Sequence, residues 1–308
     1  MEANENYFGG VPEIKRVQII AQPDESAASL ALQTGEVNFL VVRGGSMWQA
    51  LKDVDGITIN RDPDISTNTL LFFWNTSRPP LDDVRVRQAL AYALDRQAMA
   101  DTIGAGLSGG VADTIIPKSV FGHAEDLKHY EYDPEKAKAL LEEAGYPNGF
   151  DLVAVTHRSG VYVPTLEATQ AFWAQIGVNL QIDVVERLAR NERLSAGDFD
   201  VNVQDVGRIE PSEWMEYVYS GKIPPDGRAY SRYNNPELDR IIEELNAETD
   251  PDLRKQLIVD AQELMAEELP MMPLYYLVNV TAYSDFLKGD LPNLYTWNTR
   301  FNEFHIEH

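Results

Sequence analysis

The chain has 308 residues, no cysteine, and 49 acidic against 26 basic residues, a formal charge of −23. That length fits about two domains of roughly 150 residues each, and 44% apolar residues suffice for a sizeable core. The charge argues against nucleic acid as a partner, because neutralising phosphates takes clustered Lys and Arg; the missing thiols exclude disulfides, thiol catalysis and Cys-ligated metals.

No uncharged apolar run approaches the about 18 residues of a membrane span. The runs at 70–74 and 274–278 are strand length. The opening segment MEANENYFGG is acidic and polar, and does not read as a secretory signal. The acidity implies a soluble, self-repelling surface; only nine lysines hint at adaptation to salt.

In chain order, short β-rich runs predict strands at 14–20, 37–42, 56–60 and 69–75. A helix begins near Asp82–Asp83, with Val86, Leu90, Ala93 and Leu94 on its inner face. The glycine-rich stretch 104–110 lacks the Gly-Lys-Ser/Thr ending of a phosphate loop and follows no strand, so it reads as a flexible loop. Three further helices start at Asp133-Pro134, Asn235-Pro236 and Asp250-Pro251, where an Asx side chain caps orphan N–H groups and proline fits the first turn. The first has Ala137, Leu140, Leu141 and Ala144 inward and stops at Gly145. The second turns Leu238, Ile241, Ile242 and Leu245 inward, and the third Leu253, Leu257, Ala261 and Leu264, until Pro270.

The middle of the chain alternates strand 150–156, helix 164–176, strand 178–184, helix 187–196 and strand 199–203. This β-α-β-α-β order predicts a parallel sheet with right-handed crossovers. Such sheets bind ligands outside the carboxyl ends of their strands, which here open into 157–163 and 204–214. The second loop carries Asp205, Arg208, Glu210 and Trp214; the first offers Arg158 and Tyr162. Charged groups beside an aromatic suit a polar small molecule. An ordinary surface loop with a packing tryptophan explains the same pattern.

Other chemistry finds no footing. The histidines His123, His129, His157, His305 and His308 have no metal-ligand spacing. No Gly-x-Ser-x-Gly elbow is present. The pairs Glu142-Glu143, Glu243-Glu244 and Glu267-Glu268 read as solvated helix faces. The sequence therefore calls for no catalytic residue, metal or cofactor.

Residues 75–97, NTSRPPLDDVRVRQALAYALDRQ, resemble the signature region of family 5 extracellular solute-binding proteins. These are the oligopeptide-, dipeptide- and nickel-binding subunits of ABC importers. NYFGG at 6–10, QTGEVNFL at 33–40, YDPEKAKALLEEAGYPNGF at 132–150, FDV at 199–201, YNNPELDRII at 233–242 and LPMMPLYYLVN at 269–279 follow in the family's order. The resemblance implies an α/β protein of the type II periplasmic-binding class, with two lobes that close on a ligand. Family chains are longer, and the portion matching here is the later part. Residues 1–71 and 281–308 are then a partial first lobe, 72–280 the complete second lobe, and the crossings near 72–75 and 274–281 the hinge.

The implied function is capture of a small solute, a peptide or related polar molecule, between the lobes for delivery to a membrane permease. The rivals are a peptide-processing hydrolase and a sensory binding domain without transport. Implied with it is a periplasmic or extracellular location. The apolar surface of a partial lobe is expected to be covered by a second chain such as a partner copy, by an artificial contact, or to show local disorder. The ligand-facing residues expected are Arg158, Tyr162, Asp205, Arg208, Glu210 and Trp214. Peptide-binding members typically carry an acid that pairs with the peptide amine; counted back from Pro211, Gly207 stands at that position. Asp205 and Glu210 are the available substitutes, and Arg208 suits a carboxylate or another anionic group.

Overall fold

The computed structural model describes residues 1–22, 24–289 and 301–307. Its ten helices are α1 Glu25–Gln33, α2 Gly45–Leu51, α3 Val84–Tyr92, α4 Arg96–Thr102, α5 Pro134–Glu143, α6 Tyr162–Ala174, α7 Arg187–Ala196, α8 Pro211–Met215, α9 Pro236–Ala247 and α10 Pro251–Glu268. The strands are β1 Phe39–Val42, β2 Ile57–Trp74, β3 Ser108–Val111, β4 Asp151–Thr156, β5 Asn179–Val184, β6 Val201–Gly207, β7 Met271–Ser284, β8 Leu287–Gly289 and β9 Phe304–Ile306.

Seven strands form one mixed sheet in the order β1-β7-β2-β6-β4-β5, with β3 also paired to β7. The β4–β5 and β4–β6 pairs are parallel, as the alternating middle segment requires. The β1, β2, β3 and β6 contacts with their β7 or β2 partners are antiparallel. β8 and β9 make a separate two-stranded ribbon.

The long strands β2 and β7 are the frame. Leu70, Phe72 and Trp74 face one layer with Trp173 and Leu166 of α6 and Leu90 of α3. Leu71 and Phe73 face the other, with Phe199, Trp214, Ile242 and Ile258. A strand buried on both faces reads as an unbroken apolar run, which is what Leu70–Trp74 is. At the amino ends of the parallel strands, Asp200 takes two bonds from Arg78, 3.0 and 2.6 Å, and one from the Val153 N–H at 2.7 Å. Asn75 Nδ2 donates to the carbonyls of Gly197 and Phe199, both at 3.0 Å.

The register explains where a ligand can approach. β6 ends with Gly207 opposite Asn68, midway along β2. Beyond that level β2 pairs with β7 only, from Arg61↔Val280 to Ile57↔Ser284, and β1 joins β7 there. The sheet thus steps from broad to narrow, and the carboxyl ends of β4 and β6 lie at the step. The β2–β7 ladder itself is irregular between Arg61 and Asn68.

Four expectations are corrected. Residues 14–20 form no strand; they make an isolated bridge, Glu2 with Arg16. The expected strands 56–60 and 69–75 belong to one strand, β2. Asp62-Pro63-Asp64 reads as a break because proline cannot donate to a ladder, yet the backbone resumes pairing with β7 at Ser66 after a register shift. Residues 104–110 are only partly a loop, since β3 starts at Ser108. The buried face of α10 runs through Ile258, Ala261, Gln262, Met265 and Ala266, while Leu253 is 56% exposed. Part of the expected first-lobe stretch 281–308 lies outside the described residues. Elsewhere in the expected first lobe, Phe8, Val11, Ile19, Ile20 and Leu30 are all more than half exposed.

The α10 correction has a direct check. Ile258→Ala removes a fully buried side chain and should cost about 2–5 kcal/mol, whereas Leu253→Ala should stay within about 0.5 kcal/mol. Urea unfolding of both variants measures the difference; equal losses would restore the face first read from the sequence.

Candidate functional site

The site is built where β4 and β6 end. Along β6, side chains alternate across the sheet: Asn202 and Gln204 face α7, and Asp205 faces α6. Tyr162, at the start of α6, is buried and donates its hydroxyl to Asp205 Oδ1. The Asp205 N–H donates back to Tyr162 Oη at 3.1 Å. Burial is the main cause that pushes the Tyr162 phenol far above its ordinary pKa, with the Asp205 charge second. Tyr162 therefore stays a neutral donor.

On the opposite face Arg190 of α7 is 5% exposed. Its Nε and Nη2 donate to Asn202 Oδ1 at 3.1 and 2.9 Å, Nη2 also to Gln204 Oε1, and Nη1 to Asn191 Oδ1 at 3.0 Å. These partners are all neutral. Burial lowers the pKa of this guanidinium; a buried charge is normally paired with an opposite one.

His157 follows the last residue of β4 and sits between the two networks. Its ring meets the Tyr162 ring edge-on, centroids 5.5 Å apart. Its Nδ1 is buried and has no hydrogen-bond partner. Burial, then the charges of Arg190 and Arg187, hold its pKa below 6.5.

The other expected residues are placed differently. Arg208 turns back onto its own loop: it donates to the Gly207 carbonyl at 2.6 Å and to Tyr217 Oη at 2.7 Å, with its guanidinium 5.5 Å above that ring. Glu210 caps α8 and pairs with Arg254 of α10 at 2.7 Å. Trp214 is fully buried, so it cannot be an aromatic platform; its indole donates to the Arg208 carbonyl at 3.2 Å. Pro211 starts the short helix that buries it. Arg158 is exposed beside His157. The structure thus joins Tyr162 to Asp205, leaves Arg158 at the same strand end, and sends Arg208, Glu210 and Trp214 into the scaffold of their loop.

Sequence reading missed His157, Arg190, Asn202 and Gln204. One signal was present: Arg190 lies on the inner face of α7, four residues before the buried Leu194. An arginine on the inner stripe of a helix marks a buried polar network.

The loop after β4 also touches the segment after β1. Gly160 has φ +42°, and a Cβ there would lie 2.3 Å from the Arg43 carbonyl oxygen. Backbone meets backbone, so a side chain cannot be accommodated by a rotamer change. Gly160→Ala should therefore lower the melting temperature; a thermal melt checks it, and a parent-like value would show that this contact is dispensable.

An open groove lies at the other end of the parallel strands, lined by Asp82, Arg87, Arg232, Tyr233 and Glu268 among others. Its charges are mixed, and Arg87 is spent on the carbonyls of Leu81, Asp82, Glu268 and Leu269. Arg232, whose buried Nε has no partner, lines this groove too, but the groove lies away from the carboxyl ends of the strands, where such sheets bind ligands.

The model for bacterial extracellular solute-binding proteins, family 5 middle region, matches residues 1–223. The heme-binding protein A of Haemophilus influenzae is 29% identical over 297 residues, covering 93% of this chain and 53% of that protein. The dipeptide-binding protein of Escherichia coli K12 is 30% identical over 283 residues, covering 88% and 51%. The chain spans about half the length of these relatives. Among solved structures, HbpA2 of Haemophilus parasuis superposes with a TM-score of 0.79 at 28% identity, over 100% of this chain and 61% of that one. DppA of Helicobacter pylori, solved with the peptide STSA, gives 0.90 at 24%, again over 100% and 61%; it supports the fold. The fold is that of type II periplasmic binding proteins. With more than half its length matched by the family model, the chain belongs to the family 5 bacterial extracellular solute-binding proteins.

Proposed function

We propose that this chain is part of the substrate-binding component of an ABC importer. It captures a small peptide or related polar solute outside the cytoplasmic membrane and delivers it to a membrane permease. The observation that carries this reading is the joined Tyr162–Asp205 pair at the carboxyl ends of β4 and β6, on a chain of this family. Parallel strands present their ligands there. The pair offers a fixed carboxylate on one side, and the buried Arg190 supplies positive potential on the other.

The lobe division belongs to the same reading: residues 72–280 are taken as the complete lobe and 1–71 with 281–308 as the partial one, with the hinge near 72–75 and 274–281. The exposed Phe8, Ile19 and Ile20 favour a covering partner, either preceding sequence or a second chain. Large exposed patches are uncommon on soluble monomers. No described helix is long and apolar enough to cross a membrane. Binding rather than turnover suits the site, because Tyr162 and Asp205 are engaged with each other and the tyrosine is held neutral.

A panel of dipeptides, tripeptides and glutathione, screened by thermal shift and then calorimetry, tests the reading. At least one solute should raise the melting temperature without being consumed. Asp205→Asn should weaken it by about 10–100-fold, the worth of a charge-assisted hydrogen bond. No stabilising solute, parent-like affinity in Asp205→Asn, or hydrolysis of the solute would each contradict it.

A further inference from the structure

We propose that Arg61 is a positioning residue for the site: its guanidinium bridges β7 to hold the glycine-rich loop 104–108, and through that loop it fixes the first-lobe wall, residues 43–48, against the loop after β4. This inference rests on the lobe division proposed above and adds what holds the two lobes in place before a solute arrives.

The bridge sits where β7 changes partners. One edge of β7 is covered by β2, between Met271 and Ser284. The other is covered first by β3, at Tyr275 and Leu277, and then by β1, from Val280 to Tyr283. Arg61 of β2 lies opposite Val280, at that changeover. Its Nε donates to the Gly106 carbonyl at 2.7 Å and its Nη2 to the Ser108 carbonyl at 2.9 Å. Both carbonyls belong to the β3 side of β7, so the side chain crosses the strand. A rigid fork on two carbonyls of one loop fixes the orientation of that loop, which a single point donor does not.

The loop passes that orientation on. Gly106 has φ +77°, and a Cβ there would lie 2.1 Å from the Trp48 ring, so the loop backbone lies directly against the indole of α2. Gly45, at the start of α2, packs on the same loop: a Cβ there would meet the Ile103 and Ala105 carbonyl oxygens at 3.4 and 3.9 Å. Two residues earlier, the Arg43 carbonyl meets Gly160 at the site. Residues 43–48 are thus gripped between two loops of the complete lobe. One follows β4, and Arg61 holds the other. Glycine at 106 and 160 is what lets backbone approach so closely from both sides. A wall held in place before binding lowers the ordering cost of capture. An arginine that merely satisfied two loop carbonyls would matter to stability alone.

The test measures distances between spin labels in the solute-free chain. Having no cysteine, the chain takes labels only where one is introduced. Gln49→Cys on α2 with Glu167→Cys on α6 spans the lobes, and Glu142→Cys on α5 with Glu167→Cys lies within the complete lobe; all three positions are exposed. Double electron–electron resonance on the otherwise parental chain should give a narrow distance distribution for both pairs. Arg61→Gln should broaden the first and leave the second as it is. Trp48→Leu, which removes the ring from Gly106 but keeps the fork, should do the same. An unchanged inter-lobe distribution in both variants would overturn the brace. Equal broadening of both pairs, the sign of one body loosening as a whole, would overturn it together with the lobe division. No solute enters the measurement, so its outcome is separate from that of the peptide panel. A panel without a ligand removes the function and leaves the brace; unchanged inter-lobe distances remove the brace and leave the function.

Discussion

Everything at the site depends on one pairing, the antiparallel ladder between β2 and β7. Among the described residues, it alone is long enough to pass both the parallel strands and β1. Because β6 stops opposite Asn68 while β2 and β7 continue, the sheet narrows there. The step puts the ends of β4 and β6 against the segment that follows β1, and Gly160 meets Arg43 across it. The ladder is also irregular at that level, between Arg61 and Asn68. Fold and site are thus one geometric fact.

Electrostatics then decides what the step can hold. The molecule is strongly acidic overall, and a distant anion is repelled by it. Close to the strand ends the balance reverses, because Arg190 is buried among Asn202, Gln204 and Asn191 without an acid. Amides satisfy its geometry but not its charge. At short range this buried charge is little screened, with Asp205 opposing it only in part, whereas the surface acids are screened within about 8 Å at physiological salt. The short-range preference can therefore oppose the long-range field.

The layout was legible where local chemistry dictates it. The Asx-Pro starts of α5, α9 and α10 and the alternation from β4 to β6 are local signals, and each formed as read. The signature stretch after β2 identified the family through residues that hold the scaffold. Asn75 and Arg78 clamp the amino ends of the parallel strands, and Arg87 closes the end of α10. What failed was long-range. The true face of α10 includes Gln262, whose amide donates to the carbonyls of Gly122 and Ile258, so an apolar-only pattern rotates the helix. β2 was split because its polar centre pairs with a strand some two hundred residues away. That Tyr162 and Asp205 lie together was legible because both belong to the ends of neighbouring parallel strands. Arg190 and His157 were not, because their meaning lies in partners on other elements. Trp214 was misplaced for the same reason: only the packing of α8 against the second layer buries it.

The central claim is that solute meets this chain at the carboxyl ends of β4 and β6. Hydrogen–deuterium exchange with and without a saturating solute from the peptide panel tests it most directly. The account predicts slower exchange across residues 156–163 and 201–208, with residues 76–87 and 232–236 unchanged. Protection confined to that second pair of segments, at the amino-end groove, would contradict it.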